Sequence, residues 1–186
     1  MTEKIKNKVL GFSVYNQYTD DDEIIRIALE LCETYGWNTE DLIYDTNGRK
    51  KAWEYTIRAA NEYKNIYAIA TILFLKKYSS VMDEVGFYIQ DESLLIEMIE
   101  SLESIEEKDT LTYFLIARAN FAGRGAELDY EKACDYFHKA TEGGIEIAEL
   151  FALEIEGDYA GIFFCANKLI EKYPDSHIIK FYLVIY

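Results

Sequence analysis

The run from Ala117 to Gly143, ARANFAGRGAELDYEKACDYFHKATEG, limits what this chain can fold into more than any other stretch. At helical spacing it reads as two helices joined by a glycine turn. Ala117, Ala119 and Ala122 on the first, and Ala133 and Ala140 on the second, put small side chains where helices must approach closely. Gly123 and Gly125 flank Arg124 at the reversal, because glycine takes positive φ without a Cβ clash. Asp129 is placed to cap the second helix, and Lys132, Tyr136 and Lys139 fall on one face of it. A lone hairpin cannot bury its own apolar face, so the pattern predicts further hairpins on both sides.

The motif can be written as a G-x-G turn followed by D-x-x-K-A-x-x-Y-x-x-K-A-x-x-G. Here it is Gly123-Arg124-Gly125, Asp129, Lys132-Ala133, Tyr136, Lys139-Ala140 and Gly143. This segment, Leu111 to Gly144, resembles one unit of the Sel-one-like repeat, the longer relative of the tetratricopeptide repeat. Upstream, aligning Ala52 with Ala133 brings Lys51 onto Lys132, Tyr55 onto Tyr136 and Ala59 onto Ala140. There the closing glycines are missing, and Asn61 to Asn65 makes the turn. Downstream, Gly157-Asp158-Tyr159 opens another second helix, with Lys168 in the place of Lys139, that stops at Tyr173-Pro174-Asp175. The resemblance implies an all-α chain, a right-handed superhelix of antiparallel helix hairpins (an α/α solenoid). It also implies a non-catalytic scaffold that binds a protein or peptide. The expected organisation is one helical-repeat domain over 1–186, with an irregular N-terminal cap over about 1–47 and repeats over about 48–186.

Apolar spacing supports helices nearly throughout. The acidic start Asp20-Asp21-Asp22-Glu23 predicts capped amides ahead of the stripe Ile24, Ile27, Ala28 and Leu31, which Gly36 ends. Further helices are expected over about 49–63, 65–79, 91–105, 109–122, 129–142, 145–156, 158–172 and 176–186. Turns are expected at Asn47-Gly48, Asn65, Gly86, Gly123 to Gly125, Gly143-Gly144, Gly157 and Pro174. Half of the 186 residues are apolar and only one is proline, enough for a continuous core. The 16 tyrosines suit helical packing with the hydroxyl at the surface. Cys32, Cys134 and Cys165 sit inside helical patterns and read as reduced core residues of a cytoplasmic protein. The opening residues have no secretory-signal pattern, and no apolar run has the length of a membrane span. A chain rich in Ile, Lys, Glu, Tyr and Asn with little Pro has the look of an AT-rich bacterial or phage genome.

Charge placement carries more information than the net charge of −15. Between Asp83 and Asp158 there are 20 acidic and 5 basic side chains, and outside that window 14 of each, so the whole imbalance lies there. Glu97, Glu100, Glu103, Glu106 and Glu107 are expected to follow one another along a single helix, beside the stripe Leu95, Met98, Ile99 and Leu102. Such a face either keeps the protein soluble or docks a basic partner, whose approach a one-signed patch accelerates. Direct contact with nucleic-acid phosphate is disfavoured on the same ground.

No stretch of sequence proposes catalysis, a metal or a cofactor. His138 and His177 lie far apart, and neither stands in a metal-ligand pattern with a cysteine or carboxylate. Gly123-Arg124-Gly125 lacks the lysine of a phosphate loop. Asp20-Asp21-Asp22 lacks the spacing of a calcium loop. No Cys or Ser has a base beside it.

Two readings follow for function. One is an interaction scaffold whose inward helices line a groove, which by the resemblance implicates Tyr67 and Thr71 in one unit and Tyr113, Arg118 and Asn120 in another. The other is a small acidic inhibitor, a bacterial immunity protein or phage-encoded antagonist, that covers a basic, nucleic-acid-binding surface with Glu97, Glu100, Glu103, Glu106 and Glu107. The C-terminal run Ile178 to Tyr186 is too apolar for a solvent-facing end cap. It is covered within the monomer, pairs in a homodimer, or belongs to a longer array.

Overall fold

The computed structural model describes residues 22–75 and 92–186, and every regular element among them is helical. The helices are α1 (Glu23–Tyr35), α2 (Thr46–Tyr63), α3 (Ile66–Leu75), α4 (Glu92–Glu103), α5 (Thr110–Ala122), α6 (Tyr130–Glu142), α7 (Ala148–Glu156), α8 (Tyr159–Lys172) and α9 (His177–Ile185). The described residues fall into two compact units, α1–α3 and α4–α9. Asp20, Asp21, the expected turn at Gly86 and the expected helical residues 76–79 lie outside the described residues. Among the described residues, no helix is long and apolar enough to cross a membrane.

In the first unit, α1 buries Ile24, Ile27, Ala28 and Leu31 on one face, as their spacing requires. Gly36 stops it in the left-handed region at φ 68°, returning its amide to the Cys32 carbonyl. At the other end Asp22 does not cap with its side chain. Its carboxylate accepts from Nε and Nη2 of Arg49, at 3.0 and 2.7 Å, because a guanidinium offers two donors at once. The expected turn at Asn47-Gly48 is instead the first turn of α2. Asp45 caps that helix by accepting from the Gly48 amide at 2.8 Å. Glycine serves close approach there, since a Cβ on Gly48 would lie 1.8 Å from the Ile43 carbonyl oxygen. The chain turns later, at Lys64 with φ 48° and Asn65, whose side-chain oxygen accepts from the amides of Tyr67 and Ala68 to open α3.

In the second unit each helix packs on the next in the chain. Asp109, Asp129, Asp158 and Ser176 cap α5, α6, α8 and α9, each accepting an amide of the first turn. Helix α7 starts three residues later than its spacing suggests. Gly144 at φ 103° reverses the chain, and Ile145 and Ile147 are buried as plugs beneath the turn. Helix α4 stops at Glu103, two residues short of the expected end. Ser101 and Ser104 hydroxyls donate to the carbonyls of Met98 and Ser101, and the Ile105 amide bonds Leu102 in a tighter last turn, local bonds that compete with continuation of the helix. Ala117, Ala119, Ala133 and Ala140 are buried at helix contacts, whereas Ala122 is exposed at the end of α5. Within a largely aliphatic core, Phe114, Phe121, Phe137, Phe151 and Tyr182 form one set of ring contacts across α5, α6, α7 and α9.

The Gly48 contact makes a direct prediction. Gly48→Ala should destabilise toward the upper end of the roughly 1–3 kcal/mol that overpacking costs, read as a lower urea midpoint at unchanged slope. An unchanged midpoint would show that the Ile43 carbonyl yields without cost.

Candidate functional site

Helix α4 turns Leu95, Met98, Ile99 and Leu102 inward, which leaves Ile96, Glu97 and Glu100 exposed and Glu103 half-buried. The connection between α5 and α6 passes beside this face. Gly123 ends α5 at φ 59° and Gly125, at φ 74°, bends the chain back. A Cβ on Gly125 would stand 3.0 Å from the Leu95 carbonyl and 3.1 Å from Ile99, so glycine is what lets this loop lie on α4. Between helix and loop runs a half-open groove of about 600 Å³. Ile96, Glu100 and Glu103 form one wall, Ala126 to Asp129 the other, and Asn120 and Lys132 complete it.

Among the described residues, four carboxylates (Glu100, Glu103, Glu127 and Asp129) face this groove against a single ammonium, Lys132. Lys132 Nζ donates to Glu103 Oε1 at 2.5 Å across α4 and α6, so its charge is matched locally and the groove stays negative. Asp129 also accepts from the Lys132 amide at 3.0 Å as the cap of α6. Ile96 and Leu128 leave 41 % and 58 % of their surface exposed among these charges. Carboxylates bordering exposed aliphatic carbon match a long basic side chain.

The residues expected to bind from sequence go to different places. Glu100, Glu103 and Asn120 meet in the groove, although Asn120 is 3 % exposed and donates from Nδ2 to the Ile116 carbonyl. Glu97 is exposed on α4 outside the groove, and Glu106 and Glu107 are exposed in the connection after α4, not on the helix. Tyr113 packs edge-to-face on Tyr136, with the Lys139 ammonium over both rings. The Arg118 guanidinium lies 4.6 Å from the centre of the Phe151 ring. Helix α5 is covered on several sides by its neighbours, so its polar residues point to separate ones rather than to one surface. Thr71, in the first unit, is buried with its hydroxyl donated to the Tyr67 carbonyl, and Tyr67 is half-buried.

The loop residues Ala126, Glu127 and Leu128 did not stand out in sequence, because the motif that precedes Asp129 says nothing of what they face. His138 does stand beside a cysteine and a carboxylate. Cys134 is four residues before it on α6, a spacing legible in sequence, and Glu156 reaches it from the end of α7. Burial, with the Glu156 carboxylate adding to it, pushes the Cys134 thiol up to about 11.

No family model, curated protein or solved structure matches the chain. The groove therefore carries the functional argument on its own geometry.

Proposed function

We propose that the chain is a non-catalytic interaction module of stacked helical hairpins that binds a basic segment of a protein partner in the groove between α4 and the α5–α6 loop. The observation that carries this reading is the convergence of four carboxylates from two separate stretches of sequence on one half-apolar groove. Stacking as Sel-one-like repeats in a right-handed superhelix is part of the proposal. It is supported by equivalent burial at aligned positions: Ala52 and Ala133, and Ala59 and Ala140, are all fully buried. Cys32 is buried as expected, whereas Cys134 and Cys165 are half-buried and not core residues; all three are free thiols, which suits a reducing, cytoplasmic setting. An acidic inhibitor of a nucleic-acid-binding enzyme would use the same carboxylates, and the identity of the captured partner separates the two.

The full chain, immobilised and exposed to lysate of its source cells, should retain a basic protein at low salt and release it at high salt. The double variant Glu100→Gln with Glu127→Gln should lose most of that retention while keeping its helical content, because both side chains are exposed. Equal capture by wild type and double variant would contradict the groove assignment.

We also propose that α9 pairs with a second copy of the chain. Phe181, Val184 and Ile185 expose 58 %, 85 % and 53 % of their surface, while among the described side chains of that helix only Ile179 and Tyr182 are buried inward. Phe163 and Phe164 of the adjoining α8 are exposed as well, which extends the apolar surface available for pairing. Wild type should sediment as a dimer and the variant Phe181→Asp with Val184→Asp as a monomer. A monomeric wild type at the same concentration would remove the idea.

A further inference from the structure

Away from the groove, three side chains of different chemistry converge on one point. Cys134 and His138 are four residues apart on α6 and so share a face. Glu156 is the last residue of α7, which packs on α6. Cys134 Sγ lies 3.6 Å from His138 Nε2 and 3.7 Å from Glu156 Oε1, and Nε2 lies 2.9 Å from Oε1. Tetrahedral zinc binds sulfur at about 2.3 Å and nitrogen or oxygen at about 2.0–2.1 Å, which sets sulfur-to-nitrogen and sulfur-to-oxygen edges of about 3.5–3.6 Å and a nitrogen-to-oxygen edge of about 3.3 Å. Two of the three observed edges agree within 0.2 Å or so of those values. The third is shorter, as a direct hydrogen bond between His138 and Glu156 requires.

A nucleophilic relay would need a different arrangement. There the thiol and the carboxylate address opposite nitrogens of the imidazole, so that a proton passes through the ring. Here both approach Nε2, and the three ligand atoms lie within 4.8 Å of one another. Three donor atoms at mutual distances of 2.9–3.7 Å form the triangular face that a tetrahedral metal ion caps. The surroundings favour a cation too. Asp135 and Glu149 add negative charge around the thiol. Glu156 sits at the C-terminal end of α7, where the helix dipole disfavours a carboxylate that no cation offsets.

We propose that Cys134, His138 and Glu156 form a three-ligand site for a divalent transition metal of the zinc class, with the fourth position open to solvent or to a ligand from a partner. A sulfur, nitrogen and oxygen donor set selects such ions over magnesium and calcium, which take oxygen ligands. His138 and Glu156 leave 42 % and 43 % of their side chains exposed, which gives an ion a way in. On binding, the metal–sulfur bond forms as the thiol proton leaves to solvent. The proton shared between His138 Nε2 and Glu156 also leaves Nε2, to Nδ1 of a neutral ring or to solvent from a charged one, so that imidazole and carboxylate each donate a lone pair in place of their hydrogen bond.

The test is a cobalt(II) titration of the full, reduced chain followed by absorption. One equivalent should produce a thiolate-to-cobalt charge-transfer band and the visible bands of a four-coordinate ion, and zinc should abolish both. Cys134→Ser should remove the charge-transfer band, and Cys165→Ser should leave it intact. His138→Ala, at a half-exposed position that should keep its fold, should weaken cobalt binding by at least about tenfold. A band that survives Cys134→Ser, or that Cys165→Ser removes, would overturn the assignment. So would a wild-type protein that gives no charge-transfer band at millimolar cobalt.

Discussion

The Phe151 ring stacks on Phe137 at 5.1 Å, meets Phe114, Phe121 and Tyr182 edge-on, and lies beneath the Arg118 guanidinium. Through this one side chain α5, α6, α7 and α9 become a single packed body. Removing a buried phenylalanine ring costs about 3–5 kcal/mol, a large part of the 5–15 kcal/mol that holds a typical domain together. Both candidate sites depend on that packing. It fixes α5 against α6, so the loop between them is held where it can form a groove with α4. It also sets α6 against α7, which brings Glu156 to Cys134 and His138.

Charge and packing are kept apart in the second unit. The interior is aromatic and aliphatic, and the acidic side chains lie at its rim, four of them lining the groove where the α5–α6 loop passes α4. Carboxylates crowded on one side repel one another, and Lys132 relieves this only at Glu103. A protein that needed charge for solubility alone would gain as much from scattered acids, without the cost of local repulsion. On the proposed reading, carboxylates gathered around exposed Ile96 and Leu128 suit a basic, partly aliphatic segment. At physiological ionic strength the field reaches about 8 Å from such a rim, enough to orient an approaching chain before contact.

Much of the fold was legible in the sequence because its punctuation is local. Gly36, Gly123 and Gly157 end helices in the left-handed region, a conformation that depends only on neighbouring backbone. Asp129 and Asp158 cap helices within three residues of themselves. What escaped depends on distant parts of the chain. Gly48 looks like a turn residue next to Asn47, yet its glycine answers to the Ile43 carbonyl pressing on the first turn of α2. Glu106 and Glu107 continue an acidic series in sequence, but α4 ends before them in local serine and backbone bonds. Part of the groove was visible as Glu100 and Glu103 at three-residue spacing. Its other wall was not, because nothing in Ala126-Glu127-Leu128 tells which helix the loop crosses. Cys134 and His138 share a helical face by spacing alone, whereas Glu156 joins them only through the packing of α7.

The groove is the central claim, and backbone amide shifts of the isotope-labelled full chain test it most directly. A short peptide alternating lysine and leucine, added at low salt, should shift the amides of Glu100, Asn120 and Gly125 to Leu128 together, and raised salt should reverse the change. Shifts concentrated on other surfaces of the second unit, or none at millimolar peptide, would contradict the account.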